Sequence, residues 1–368
     1  MKIFKRLFLI AWRNIFRNKR RSLLTLSILI MGSTGLILIG GFFDDMIEGF
    51  GEVFIHSQTG HIQVNAAGYQ KKGVSSPFKY LMTDLARLQT LIESQPGVRY
   101  TVPRLKFQGM ASSDETSIAV VALGVDPARE HLMGSFQTSR ENLPSINIME
   151  GKDLDPSDPY GALLGKGLME ALNLKVGDSM NFITTREAGA LDGAVYHVRG
   201  VFQTFIKDFD ERAMKVNLAG AQKLLAVPDQ VHSLLVILDD TRKTKPVNTT
   251  LEKTFSDKGL PLETFTWEEQ GEYYRQSKAL LRQIYVTIQL IITVIFFFSI
   301  ANTINMALFE RVREFGTMMA LGNSRAVIFS MIFLEAALLG LVGSSLGLLA
   351  GSGLARIVSI FGIPMRPP

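Results

Sequence analysis

The stretch "ERVREFGTMMALGNSRAVI", Glu310 to Ile328, decides how this chain is read. It is short, charged at its start and helix-prone, and it lies between two long apolar runs, one ending at Phe309 and the next beginning at Ala326. A loop that only joined two membrane spans would need neither the charges of Glu310, Arg311, Arg313 and Glu314 nor the apolar row of Phe315, Met318, Met319 and Leu321 after them. Gly322-Asn323 supply a natural C-terminal stop. The pattern describes a short amphipathic helix held between two hydrophobic elements. Such a helix either lies flat on lipid or docks into a groove on a partner, and methionines help a docking face adapt.

The flanking runs set the class of protein. Ser22–Phe43 carries no charge, Gln283–Phe309 carries none, and Ala326–Ala355 carries only Glu335. About 20 apolar residues cross a hydrocarbon core as a helix, so all three qualify as membrane spans. The first is too long for the apolar part of a signal peptide, and "GGFFDDM" after it is no small-x-small cleavage site, so it reads as an uncleaved anchor. An ionisable group at the depth of Glu335 is functional by default, through pairing or snorkelling.

The formal charge of +5 is unevenly placed. Residues 1–21 hold eight Lys or Arg and no acid, whereas residues 44–282 hold 26 basic against 31 acidic side chains. Basic residues beside the first span keep the N-terminus in the cytoplasm, and the mildly acidic region is translocated. That region has no basic stripe, which argues against nucleic acid as a partner. With no cysteine, disulfides and thiolate metal sites are excluded.

The expected organisation follows. Residues 1–21 form a basic amphipathic helix at the membrane interface, with Phe4, Leu7, Phe8, Ala11, Trp12, Ile15 and Phe16 at helical spacing. Residues 22–43 are the first span, 44–282 a translocated α+β domain of one or two subdomains, 283–309 the second span, 310–325 a cytoplasmic helix, and 326–355 the third span. Residues 356–368 form an outer tail. Within the domain, "GHIQVN", "YTVPRLKF", "TSIAVVALGV", "DSMNFITT", "AVYHVRGVF", "AMKVNLA" and "HSLLVIL" read as strands. "MTDLARLQTLIES", "KGLMEALNL", "AGAQKLLA" and "NTTLEKTFSDKG" read as helices. "DDMIEGFGEVF" extends the first span outward, weakened by Gly49 and Gly51, and an unbroken helix is expected from Trp267 to Phe309. These long extensions would stand as stalks. Gly340, Gly343, Gly347 and Gly351 give the third span a small-residue face for close helix packing.

Little here looks catalytic. "GALLGKGLM" (Gly161–Met169) is not a Walker A loop, because only three residues separate Gly161 from Gly165 and Gly167 replaces the Mg²⁺-binding hydroxyl. His56, His61, His131, His197 and His232 show no HExxH pattern and no close carboxylate partner, so no metal or general base is expected. No G-x-S-x-G elbow occurs.

The quoted stretch, followed by "FLEAALLGLVGSSLGLLAG", resembles the coupling helix and following span of FtsX-like, MacB-like ABC transporter permeases. "ALLGKGLMEALNLKVGDSMNF" resembles an element of their periplasmic domain, "AWRNIFRNKRRSLLTLSILI" their entry into the first span, and "TGHIQVNAAGYQ" looks most like the lipoprotein-releasing branch, LolC and LolE. The resemblance implies an α-helical transmembrane protein with a large extracytoplasmic α+β domain between the first and second spans. It implies four spans, so a fourth is expected after "FGIPMRPP". It implies a non-catalytic subunit of the bacterial inner membrane, paired with a second permease and a cytosolic ATPase dimer that binds ATP and Mg²⁺. A periplasmic chaperone or adaptor is a further implied partner. Glu310, Arg311, Arg313, Glu314, Phe315, Met318, Met319, Leu321 and Gly322 would contact the ATPase. Lipid chains of a substrate would enter along Leu36, Phe42, Phe43, Ile284, Ile288 and Ile291. Two other readings stay open: a MacB-like exporter of peptides or small molecules, and a membrane-anchored sensor of another class.

Overall fold

The computed structural model describes residues 2–17, 19–73, 76–114, 116–135, 146–204 and 206–361. The chain divides into two compact units, Gly49–Arg275 and a second composed of Met1–Glu48 with Gln276–Pro368.

Among its described residues, the Gly49–Arg275 unit is built on ten strands: β1 (Ile62–Ala66), β2 (Val98–Ser112), β3 (Ser117–Val125), β4 (Asn147–Gly151), β5 (Gly161–Gly165), β6 (Ser179–Thr185), β7 (Leu191–Gln203), β8 (Ala213–Asn217), β9 (Ser233–Leu238) and β10 (Leu262–Thr266). They pair in the order β10-β1-β9-β2-β3-β8-β5-β7-β4, and β6 bonds to both β2 and β7. The pairs β2-β3-β8-β5-β7-β6-β2 therefore close on themselves. Long β2 makes this possible, because one of its edges serves β9 over Val98–Arg104 and then β6 over Gly109–Ser112. Among the described residues, only β3 with β8 and β5 with β7 run parallel. All these strands belong to one sheet.

Period-two burial fills the ring. β6 alternates exposed and buried, placing Met180, Phe182 and Thr184 inward. Leu105, Phe107, Val120, Ala122, Leu164, Tyr196, Met214 and Val216 join the same core. Phe182 meets Phe107 and Tyr196 edge-on at ring distances of 5.7 and 6.1 Å. A Cβ at Gly109 would overlap the Phe182 ring, so the inward turn of β2 has room only for glycine.

Helices α3 (Leu85–Glu93), α4 (Pro127–Gly134), α5 (Lys166–Leu172), α6 (Leu218–Leu225) and α7 (Thr244–Asp257) cover this framework once the long helices α1 (Lys2–Arg17) and α2 (Lys19–Phe54) are counted first. The apparent phosphate loop is β5 running directly into α5. Its glycines are there for close approach, since a Cβ at Gly165 would overlap the Asp210 backbone. Strands β4, β5 and β10 escape the alternation rule, being short and, for β5, buried along its whole length.

The expected unbroken helix from Trp267 is interrupted. Gly271 has φ −83° and ψ 74°, and the long helix α8 starts at Glu272 and ends at Glu310. Phe50, Phe54, Trp267 and Tyr274 form an aromatic cluster here, with Trp267 and Tyr274 rings 4.7 Å apart. A Cβ at Gly51 would press on the Trp267 ring at 3.0 Å, and one at Gly271 on Phe54 at 2.7 Å. Gly51 thus leaves α2 intact and makes room for the cluster.

In the other unit, α9 (Val312–Ala320) and α10 (Arg325–Phe361) follow α8. Among the described residues, three helices are long and apolar enough to cross a membrane. Helix α10 runs past the expected end at Ala355 to Phe361, and residues 362–368 of the expected tail lie outside the described residues. In α1, Phe8, Leu9, Ile10, Trp12 and Phe16 are exposed, while Ala11 and Asn14 are buried. The side chains of Phe4 and Leu7 lie outside those described.

Candidate coupling site

The site begins with a break in the backbone. Arg311, at φ −107° and ψ 10°, separates α8 from α9 and serves as the N-cap position of α9. Helix α9 ends as the residue types require. Gly322 has φ +92°, its N–H donates to the Met319 carbonyl at 3.0 Å, and the Asn323 N–H donates to the Met318 carbonyl at 3.1 Å. This is a Schellman closure, which needs a residue free to take positive φ.

Around that break the charges form one chain. Arg17 Nη2 of α1 donates to both Glu314 carboxylate oxygens at 2.8 and 2.9 Å. Arg311 Nε donates to Glu314 Oε2 at 2.9 Å, and Arg311 Nη1 donates to Glu335 Oε2 of α10 at 3.0 Å. The guanidinium also lies 5.4 Å from the Phe315 ring centre. Hydrogen bonding from Arg311 holds the Glu314 carboxyl below its ordinary pKa. Arg311 and Glu335 are buried, whereas Glu314 is half exposed. The pair lines a cavity of about 250 Å³ with Thr25, Thr303 and Gly340.

This arrangement divides the expected contact residues into two sets. Glu310, Arg313, Glu314, Met319, Leu321 and Gly322 are exposed, and Leu321 is 79% exposed. Phe315 and Met318 are half-buried. Arg311 points inward and is no part of the outer face, because its guanidinium is taken up by Glu335 and Glu314. Val312, exposed and one helical repeat before Met319, belongs to that face and was missed among the charges around it. Glu335 acquires a specific partner, one that no local sequence pattern could reveal.

The glycine face is placed residue by residue. A Cβ at Gly343 would meet Leu29 at 2.6 Å, one at Gly347 would meet Ser33 at 2.6 Å, and one at Gly351 would meet Ile37 at 3.0 Å. These three seat α10 against α2, and Thr34 Oγ1 donates to the Gly347 carbonyl at 3.2 Å. A Cβ at Gly340 would meet nothing within 4 Å, so Gly340 is not a packing residue; it lines the cavity instead. Two glycines of α2 were overlooked as packing positions. Gly32 receives the Phe296 ring and Gly40 the Tyr285 hydroxyl, both from α8.

Of the expected lipid-contact positions, Phe42, Ile284 and Ile291 are exposed, and Leu36, Phe43 and Ile288 are half-buried. Phe43 packs on Tyr285 at a ring distance of 5.4 Å.

The expectation that no histidine has a carboxylate partner is overturned. His131 Nδ1 lies 2.7 Å from Asp153, His197 Nε2 lies 2.8 Å from Asp158, and His56 Nε2 lies 3.7 Å from Glu52. The first two pairs join residues distant in sequence. Only Glu52 and His56, one helical turn apart, could have been read beforehand.

Helices of membrane-spanning length and composition, a folded domain of strands and helices, and a charged short helix between the last two apolar helices point to a membrane protein with a folded domain. Residues 22–254 match the MacB-like periplasmic core domain and residues 286–368 match the FtsX-like permease C-terminal domain. The chain belongs to the FtsX-like, MacB-like family of ABC transporter permeases. It is 23% identical over 288 residues to the lipoprotein-releasing system transmembrane protein LolC of Neisseria meningitidis, covering 76% of this chain and 67% of that one. It is 23% identical over 281 residues to LolE of Haemophilus influenzae, covering 74% of this chain and 64% of that one. An uncharacterized ABC transporter permease of Methanocaldococcus jannaschii is 23% identical over 219 residues, 58% of this chain and 52% of that one. The chain thus spans between half and about two thirds of the length of these relatives. Among solved structures, the periplasmic region of MacB from Actinobacillus actinomycetemcomitans aligns at 12% identity with a TM-score of 0.39, covering 58% of this chain and 92% of that one. The extracellular domain of YknZ from Gram-positive bacteria aligns at 11% identity with a TM-score of 0.39, covering 56% and 99%.

Proposed function

We propose that this chain is the non-catalytic membrane subunit of a transporter that releases lipoproteins, or another lipid-anchored substrate, from the outer leaflet of a bacterial inner membrane. The observation that carries the substrate class is the similarity to two lipoprotein-releasing system transmembrane proteins over about three quarters of this chain. The mechanical part rests on α9. Val312 and Met319 on α9 and Leu321 at its C-cap, with Arg313 and the preceding Glu310 at the rim, offer exposed apolar groups on a helix closed at its C-terminus. A cytosolic ATPase dimer grips that face, binds ATP and Mg²⁺ itself, and closes on nucleotide. Arg311 passes the displacement inward: moving α9 pulls on Glu335 of α10 through one ion pair and on Arg17 of α1 through Glu314. A second permease subunit completes the assembly, with the N-terminus cytoplasmic and the β-rich domain periplasmic.

Co-purification from native membranes tests this. A nucleotide-hydrolysing subunit is expected with the wild-type chain and is expected to be lost with Leu321→Asp or Met319→Asp. A chain that purifies without such a subunit, or retains it unchanged in both variants, defeats the proposal. Release of a radiolabelled lipoprotein from reconstituted vesicles then tests the substrate class, and ATP-dependent release of peptides alone would replace it with the exporter reading.

A further inference from the structure

One buried cluster in the Gly49–Arg275 unit takes no part in coupling. Glu52 sits in the last turn of α2, His56 in the π-helical turn Ile55–Thr59 that follows, and His61 just before β1. Gly60, at φ +64°, turns the chain back, and a Cβ there would meet Leu235 at 2.9 Å. This reversal sets the His61 ring edge-on to His56 at 5.5 Å. One ligating atom from each of Glu52, His56 and His61 then lies within 4.8 Å of the others.

His56 and His61 are buried and the Glu52 side chain is 20% exposed. Two imidazole nitrogens and one carboxylate oxygen, all brought in by a short turn, are a donor set suited to zinc-type cations.

We infer that Glu52, His56 and His61 bind one divalent transition-metal cation of the zinc class, clamping the end of α2 to the entry of β1. The inference is independent of the transport reading. Zinc–nitrogen bonds of about 2.0–2.1 Å in a tetrahedron put ligand atoms roughly 3.4 Å apart. The 3.7 Å between Glu52 Oε2 and His56 Nε2 needs only slight contraction to reach this. Ligation competes with existing hydrogen bonds. Thr241 Oγ1 lies 3.0 Å from His61 Nε2 and 2.5 Å from Glu52 Oε1, and the Leu238 N–H donates to His61 Nδ1 at 3.2 Å. Binding at His61 Nε2 places the ring proton on Nδ1, so the long Leu238 contact is given up and Thr241 turns away. Three metal–ligand bonds replace these contacts.

The test uses the full chain in nanodiscs, without a polyhistidine tag and after chelator treatment. A background of His131→Ala and His197→Ala removes two exposed rings. Co²⁺ is titrated first, because its visible ligand-field bands are intense only in low-coordinate sites, and Zn²⁺ is then used to displace it. One saturating equivalent of Co²⁺, displaced by Zn²⁺, with a raised unfolding temperature, is expected. His61→Gln and Glu52→Gln each remove a ligand and are expected to weaken binding by more than the roughly 10–100-fold that loss of an outer-shell partner costs. Thr241→Val removes a competitor and is expected to leave binding intact. Absence of a saturable band in the parent chain overturns the inference, as does unchanged affinity in His61→Gln. The parent titration decides even where a variant does not fold.

Discussion

Replacing Arg311 with Met keeps the length of the side chain and removes the charge that joins α9 to α10. Arg311 and Glu335 are 7% and 3% exposed, and their charged groups are 3.0 Å apart. At an effective dielectric near 20, such opposite charges attract by about 4 kcal/mol. Removing Arg311 takes this guanidinium partner from the buried Glu335, and breaking a buried pair costs about 3–5 kcal/mol. The second contact of Arg311, to the half-exposed Glu314, adds less than about 1 kcal/mol. Arg311→Met and Glu335→Met are each expected to destabilise by about 3–5 kcal/mol, and the double variant by about 3 kcal/mol less than their sum. Equilibrium unfolding in mixed detergent micelles measures all four corners of that cycle. Because Arg311 points inward, Arg311→Met is also expected to keep the ATPase partner bound while losing ATP-driven substrate release. Additive single effects, or an Arg311→Met no more costly than the exposed Arg313→Met, would refute the link.

Gly347→Leu is expected to cost more than about 2 kcal/mol by overpacking Ser33, whereas Gly340→Leu, facing open space, is expected to stay within about 0.5 kcal/mol; unfolding midpoints compare them. In the β domain Glu130 receives Lys215 Nζ at 2.6 Å and Arg104 Nη2 at 2.7 Å, all buried. Glu130→Gln strands two cations and is expected to lower stability by about 3–5 kcal/mol in denaturant titration, more than Lys215→Met, which leaves the Arg104 pair. His232, buried with its Nδ1 accepting from the Lys106 N–H and stacked on Tyr69, has its pKa lowered from 6.5 to about 4 by burial. The unfolded chain binds the proton first, so this contribution is complete above pH 6.5 and lost as pH falls toward 4. Roughly 3 kcal/mol is at stake, and His232→Gln is expected to flatten that part of the stability–pH curve.

Much of the fold was legible from local chemistry. The alternation in "DSMNFITT" and the β-branched run "HSLLVIL" mark β6 and β9 because a half-buried strand and a fully buried one each impose their own pattern. The stop at Gly322 was legible because only certain residues take positive φ cheaply. The start of α8 was misplaced because Gly271 alone carries no sign of how it will bend; the Trp267–Tyr274 and Phe54 rings decide that. The outer face of α9 could be read from its apolar spacing, but the inward turn of Arg311 could not, since its partner lies on another helix.

The sequence by itself determined the apolar segments, the charge asymmetry around the first of them, the β-branched or alternating runs of most strands and the short helix between the last two apolar runs. Each is a property of neighbouring residues, set by the rise and period of a single element. Only the tertiary structure decided that β6 closes the strands into a ring, that Gly32 and Gly40 receive rings from α8, that Glu335 holds Arg311, and that Glu52, His56 and His61 converge. These features depend on which distant surfaces meet, and that follows from backbone pairing and shape across the whole chain.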